Sequence, residues 1–110
     1  MANLVEVVEG WTGRLEFTLK ADGEAVDLSG FDVTLNLRDD DGVLVEYDDE
    51  VTVDADQTAN AGKVYFDPPE DAFAAADGPY RARFRVEDGS GDVVFFPNCK
   101  DADLILVGKP

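Results

Sequence analysis

The side chains that most often perform catalysis are scarce in this 110-residue sequence. It contains no histidine, the side chain whose ordinary pKa lies closest to neutrality. Its two serines, Ser29 and Ser90, each lie beside a glycine in a predicted turn, and its one cysteine is Cys99. Serine or cysteine catalysis with histidine, and zinc sites built from histidine and cysteine, are therefore excluded by residue type. We predict no enzyme activity and no cofactor, because acidic residues in turns are a weak sign of a catalytic pocket.

Carboxylates are the remaining groups that could do chemistry, and two runs of them, residues 39–41 and 48–50, lie close to predicted turns. Calcium requires about six to eight converging oxygen ligands, and carboxylates in neighbouring turns could supply several of them. Neither run has the spacing of an EF-hand loop. We therefore interpret both runs as solvated turn residues and predict no metal site, with calcium binding as the alternative.

The charge balance of the chain is strongly acidic, with 25 acidic and 9 basic residues and a net charge of -16. Such a surface repels the phosphates of nucleic acids and of anionic membranes, so we predict that neither is a partner. The composition also fits a halophilic protein from a high-salt cytoplasm, where a Debye length of about 3 Å at 1 M salt screens the self-repulsion. An ordinary soluble acidic domain is the alternative.

The length of the chain favours a single domain over residues 1–110, since one core usually takes about 100 to 150 residues. Hydrophobic residues make up 45% of the chain, which is enough to fill such a core. No basic start followed by an apolar segment reads as a secretion signal, and no apolar run approaches the roughly 18 residues that span a bilayer. We expect a soluble protein made in the cytoplasm without an internal disulfide.

Alternating apolar and polar residues predict a series of short strands. A period of two with one apolar face is typical of a half-buried antiparallel strand. The clearest case carries Tyr80, Ala82, Phe84 and Val86 on one face and Arg81, Arg83 and Arg85 on the other. The predicted strands cover residues 4–8, 15–20, 33–38, 43–47, 51–53, 62–67, 79–88, 93–96 and 104–107.

Turn signals separate these strands, and one segment has a helical pattern. The pairs Asp22-Gly23 and Asp41-Gly42 favour tight turns, because glycine accepts a positive φ. Residues 69–76 begin with proline and acidic residues and are followed by Gly78, which predicts about two helical turns. Seven to nine short strands with one short helical corner are the pattern of an immunoglobulin-like antiparallel β-sandwich, an all-β fold.

The order of turns and strands resembles a known family. The matching features are the Asp22-Gly23 turn, the phrase Val26-Asp27-Leu28-Ser29-Gly30, the Asp41-Gly42 turn, Gly62-Lys63-Val64-Tyr65, Gly78-Pro79-Tyr80, a glycine hairpin and Phe96-Pro97. Together they are similar to the immunoglobulin-like N-terminal domain of tailed-phage baseplate upper proteins. The resemblance covers nearly the whole chain and implies a structural role in the virion, because in that family the domain anchors a protein to the tail or baseplate. From this we infer a small docking adaptor attached to the tail or baseplate. Its implied partners are other virion structural proteins and copies of itself.

Two other functions stay open beside this one. A capsid decoration protein would use the same kind of module on another repeating surface, and a free-standing module could bind a glycan or a peptide. A glycan platform usually shows several exposed aromatic side chains, whereas the one tryptophan and three tyrosines here are scattered along the chain. The sequence therefore favours assembly over ligand capture.

Three features are candidates for docking. The row Arg81, Arg83 and Arg85 could clamp acidic side chains of a neighbour through bidentate bonds, with pairing to acids on flanking strands as the alternative. Residues 93–96 and 104–107 are apolar on both faces, so alternate side chains should contact another subunit or lie beneath a loop or helix. Trp11 is either an interface anchor or a plug at one end of the core. From the two apolar strands the candidate contact residues are Val94, Phe96, Ile105 and Val107.

Overall fold

The computed structural model describes residues 4–97 and 102–109, and within them the chain forms eleven strands and no helix. The all-β prediction is confirmed, and the two strands beyond the predicted nine form a hairpin of two residues each. Cys99 lies outside the described residues. The strands are β1 (Leu4–Val8), β2 (Leu15–Thr18), β3 (Lys20–Ala21), β4 (Glu24–Ala25), β5 (Asp32–Arg38), β6 (Leu44–Tyr47), β7 (Val51–Val53), β8 (Lys63–Phe66), β9 (Tyr80–Glu87), β10 (Val93–Phe96) and β11 (Asp103–Gly108).

The strands form a large sheet, a small sheet and the separate β3-β4 hairpin. The large sheet has the order β1-β11-β9-β5-β6, and β10 joins it by pairing with β9. One edge of β9 pairs along its length with β5, while the other is shared by β10 and β11. The small sheet has the order β2-β8-β7. The pairing of β1 with β11 is parallel and departs from the predicted antiparallel pattern.

The two sheets pack face to face through aromatic rings. Phe17 of the small sheet meets Phe84 of the large sheet with ring centroids 5.0 Å apart, at an angle of 62°. Tyr47 and Phe66 make a second contact between the sheets, also at 5.0 Å. The Phe17–Phe84 pair is edge to face, and such aromatic pairs add to the stabilisation from burial alone. The predicted apolar face of β9 lies in this core, as its alternating burial shows.

The predicted helical corner at residues 69–76 is wrong. Phe73 in the middle of this segment is buried, and its ring packs edge to face on Phe66 and Tyr80. The backbone groups around it bond outside the segment: the Phe73 carbonyl accepts from the Gly10 amide, and the Ala74 amide donates to the Tyr80 hydroxyl. A helix would need those groups for its own ladder, so the segment forms two isolated turns instead.

The loop between β7 and β8 is held by one buried side chain, Gln57. Its Oε1 accepts from the backbone amides of Leu28 and Gly62, both at 3.0 Å, and its Nε2 donates to the Asp54 carbonyl at 2.9 Å. Gly62 has a φ of 78°, and a Cβ there would lie 2.5 Å from the Leu19 carbonyl oxygen. Only glycine fits this position without a shift of the backbone.

Two of the motifs that carry the family resemblance lie at ends of large-sheet strands. Gly78-Pro79 directly precedes β9, and Phe96-Pro97 ends β10. The peptide bonds before both prolines are cis.

Candidate interaction surface

Each sheet of the sandwich has one face turned away from the core. We call these the large-sheet face and the small-sheet face. Residues paired across neighbouring strands share a face, so the register shows which side chains lie together. In the large sheet Arg38 of β5 is paired with Arg81 of β9. The large-sheet face therefore carries four of the nine basic residues of the chain, namely Arg38, Arg81, Arg83 and Arg85.

Each of these arginines has a partner within the chain. Arg81 Nη1 lies 3.9 Å from Asp40 Oδ1, and Arg85 Nη2 lies 3.2 Å from Glu87 Oε1. Neither acid comes from a flanking strand, because Asp40 follows β5 in a turn and Glu87 is on β9 itself. Both pairs are substantially exposed, and such pairs contribute little to stability, about 0–1 kcal/mol. The guanidinium groups of Arg38 and Arg83 donate to the backbone carbonyls of Gly42 at 3.0 Å and of Pro97 at 2.7 Å.

Most of the exposed large hydrophobic side chains lie on the same face. The structure describes ten such residues, and the strand register places six of them on the large-sheet face. Interfaces are rich in aromatic and arginine side chains, so this combination is typical of a contact surface. The six residues are Leu4, Val8, Leu44, Val93, Phe95 and Leu106.

The structure corrects the choice of alternate residues on β10 and β11. Phe96 and Ile105 are in the core, with 6% and 0% of their surface exposed, because they point the same way as the buried residues of β9. Their neighbours Phe95 and Leu106 point outward and are 40% and 37% exposed.

The other two candidates on these strands lie on the core side. Val107 is half-buried and packs against the core. The side chain of Val94 points to the same side of the sheet as buried Val86, yet Val94 is 50% exposed.

Trp11 lies at the β1 end of the large-sheet face and outside the core. Its indole nitrogen donates to the Gly13 carbonyl at 2.8 Å, which fixes the ring over Gly13. The ring lines a groove of about 420 Å³ together with residues of β1 and β11, among them Val8 and Leu106. The position fits an interface anchor and not a core plug.

The small-sheet face is polar and internally bonded. Arg14 makes two parallel hydrogen bonds to Asp67, at 2.8 and 2.9 Å, and lies over the Tyr65 ring. The Tyr65 hydroxyl donates to the Asp54 carboxylate, which lowers the pKa of Asp54 and raises the pKa of Tyr65. The bonds from Arg14 likewise lower the pKa of Asp67. None of the ten exposed large hydrophobic residues belongs to β2, β7 or β8.

The acidic run at residues 39–41 is used to close a turn. The Asp39 carboxylate accepts from the backbone amides of Asp41 and Val43, both at 2.9 Å. In the part of the chain that the structure describes, no group of three or more acidic, histidine or cysteine side chains is placed to hold a metal ion. The same part contains no helix that could cross a membrane.

The comparison with known proteins identifies the family. The sequence model of the BppU N-terminal domain, which is the N-terminal domain of a phage baseplate upper protein, matches residues 5–97. The chain belongs to this family. The resemblance drawn from the turn residues is therefore confirmed. No curated protein matches the chain at a significant level.

Membership in the BppU N-terminal domain family has direct consequences for the role of the chain. The chain is a baseplate-related structural domain, it is located in the virion, and it associates with other virion proteins. Because the family consists of baseplate structural domains, membership in it indicates a structural role and not a catalytic one.

Proposed function

We propose that this chain is a small docking module that attaches to the tail or baseplate of a tailed virus particle through its large-sheet face. Family membership supports the location in the particle. The observation that carries the docking role is the collection of six exposed hydrophobic side chains and four arginines on one face. A monomer rarely leaves so many apolar side chains on one face in water, because their burial against a partner is favourable.

An adaptor needs a second contact surface, and the β5-β6 turn with strand β6 supplies one. Strand β6 lies at the end of the large sheet opposite to β1. Val43 and Val45 at this edge are exposed and are not among the six hydrophobic residues of the large-sheet face. A neighbour at this edge and another on the centre of the large-sheet face would let the chain join two components. The second component is either another virion protein or a further copy of the chain.

The proposal is tested by locating the chain in purified particles. Cryo-electron microscopy of the particle should show this domain at the tail or baseplate, with the large-sheet face against a neighbour. Density on the capsid would instead assign a decoration role. A chain that is found free in the infected cell and is absent from every particle would overturn the proposal.

A matched pair of variants tests the choice of face. Phe95→Asp places a charge on the large-sheet face, and Thr52→Asp places the same charge at an exposed position of the small sheet. We expect Phe95→Asp to lower the amount of the chain in particles at least about tenfold, because a buried charge without a partner disfavours the contact. Thr52→Asp should have little effect. The reverse order would contradict docking through the large-sheet face.

A further inference from the structure

We propose that the large-sheet face binds an acidic protein surface, whose carboxylates contact Arg38, Arg81 and Arg85 and whose apolar side chains cover Phe95 and Leu106. This inference rests on the proposed docking role and names the chemistry of the partner. It follows from the arrangement of charge on the face, which is unlike that of the rest of the chain.

The positive charges lie along β9, the middle strand of the large sheet, and at one end of its pairing with β5. Arg38 and Arg81 are opposite each other on the adjacent strands β5 and β9, an arrangement of like charges that is unfavourable by itself. Within residues 4–97 and 102–109, the acid that forms an ion pair with Arg81 is Asp40, at the outer limit of such a contact, with more than half of each side chain exposed. The bond from Arg38 to the Gly42 carbonyl satisfies a donor but does not neutralise the charge.

The acidic residues of the same face lie on its edge strands and at the end of β5 and β9 opposite to Arg38 and Arg81. Glu6 is on the edge strand β1, and Glu46 is on the edge strand β6. Asp32 and Glu87 are paired with each other at one end of β5 and β9. A face whose arginines follow β9 and whose other acids lie on the edge strands favours a partner that brings carboxylates to β9. Arginine suits this task, because its planar guanidinium can bind a carboxylate through two hydrogen bonds.

The same pattern argues against two other occupants. A second copy docked with its β9 arginines opposite those of the first would bring like charges together, which costs several kcal/mol. Nucleic acid presents phosphates along its whole length, and these would meet the acids of the edge strands and a chain of net charge -16. A compact acidic patch on a protein avoids both penalties. The hydrophobic side chains beside the arginines also suit a protein contact.

Charge reversal with a matched control tests this inference. Arg81→Glu with Arg85→Glu changes the net charge by the same amount as Lys20→Glu with Lys109→Glu, which lie on exposed residues outside the face. We expect the arginine pair to reduce incorporation into particles at least about tenfold and the lysine pair to leave it unchanged. Circular dichroism and thermal unfolding of both pairs check that the fold is intact. Arg81→Lys with Arg85→Lys should retain part of the incorporation.

Crosslinking identifies the neighbour and separates the two proposals. A photoreactive amino acid at Phe95 in infected cells reports the contacting peptide whether or not the chain enters particles. We expect a peptide rich in aspartate or glutamate, and changing those residues to lysine should restore binding of the double arginine-to-glutamate variant.

Normal incorporation of the Arg81→Glu and Arg85→Glu double variant into particles would overturn the inference. Crosslinking of Phe95 to the same face of a second copy, or binding of duplex DNA that depends on these arginines, would overturn it as well. An acidic neighbour outside the particle would support this inference while contradicting the proposed function.

Discussion

The two outer faces of this sandwich handle their polar groups in different ways. On the small-sheet face Arg14 donates two hydrogen bonds to Asp67, and the Tyr65 hydroxyl donates one to Asp54. These donors and acceptors are therefore paired within the chain. On the large-sheet face arginines lie beside exposed hydrophobic side chains, and Arg81 and Arg85 make exposed ion pairs at 3.9 and 3.2 Å without the parallel double bonds of Arg14. Although the whole chain is acidic, the large-sheet face therefore combines basic and apolar side chains.

The largest expected effect separates the core from the large-sheet face. Phe96→Ala should lower the free energy of unfolding by about 3 kcal/mol, because it leaves a cavity between the sheets. Phe95→Ala, one residue earlier, should lower it by only about 1 kcal/mol, since 40% of the surface of Phe95 is exposed. Urea denaturation measures both. Equal losses from the two variants would mean that Phe95 is also part of the core and would remove the distinction on which the docking face depends.

The next effect concerns the loop that supports the small sheet. Gln57→Leu removes the acceptor of two buried amides and should cost about 2–4 kcal/mol, because each unsatisfied buried donor costs about 1–3 kcal/mol. Thr58→Ala, at the exposed neighbouring position, serves as the control and should be nearly neutral. Loss of particle incorporation by Gln57→Leu at a temperature where the protein remains folded would show that the small-sheet side also takes part in docking.

Salt should stabilise the whole molecule. With a net charge of -16, the folded chain repels itself, and raising the salt from 0.1 M to 1 M shortens the Debye length from about 10 Å to about 3 Å. If screening contributes about 1 kcal/mol, the melting temperature should rise by about 4 °C in molar potassium chloride. A flat or falling melting temperature in a salt series would contradict the halophilic interpretation.

The smallest effect is confined to the small-sheet face and appears in acid. Because the folded-state pKa of Asp54 is lowered, its contribution to stability is present above the usual carboxyl pKa of 3.8 and is lost as the pH falls through the folded-state value. Tyr65→Phe removes the main cause of that shift. Carbon-detected NMR titration of the variant should give a higher pKa for Asp54 than in the wild type. An unchanged pKa would show that the Tyr65 hydroxyl does not bond to Asp54 in solution.

Sequence patterns predicted the strands well where one face is apolar and the other is polar. In β9 the alternation of arginine with apolar residues correctly predicted both the strand and which of its side chains face the core. In β10 and β11 every residue in the apolar run is suitable for either face, so the pattern predicted strands but not which side chains face out. Pairing with β9 decides this, because Phe95 lies opposite Arg85 and Phe96 opposite Phe84.

The prediction of a helix at residues 69–76 was wrong for a similar reason. Proline and acidic residues at 69–71 satisfy the local preferences of a helix start, and those preferences are weak compared with the burial of Phe73. The hydroxyl of Tyr80 and the backbone of Gly10 bond to the segment from distant parts of the chain. No local pattern contains that information.

The sequence by itself determined the all-β class, the positions of the strands, the acidic charge and the family, because these depend on residue types and on their order along the chain. Only the tertiary structure decided which apolar residues are core and which are surface. It also brought Arg38 beside the arginines of β9, although more than forty residues separate them. The physical reason is that strand register, which sets the face of every side chain, is fixed by contacts between segments distant in sequence.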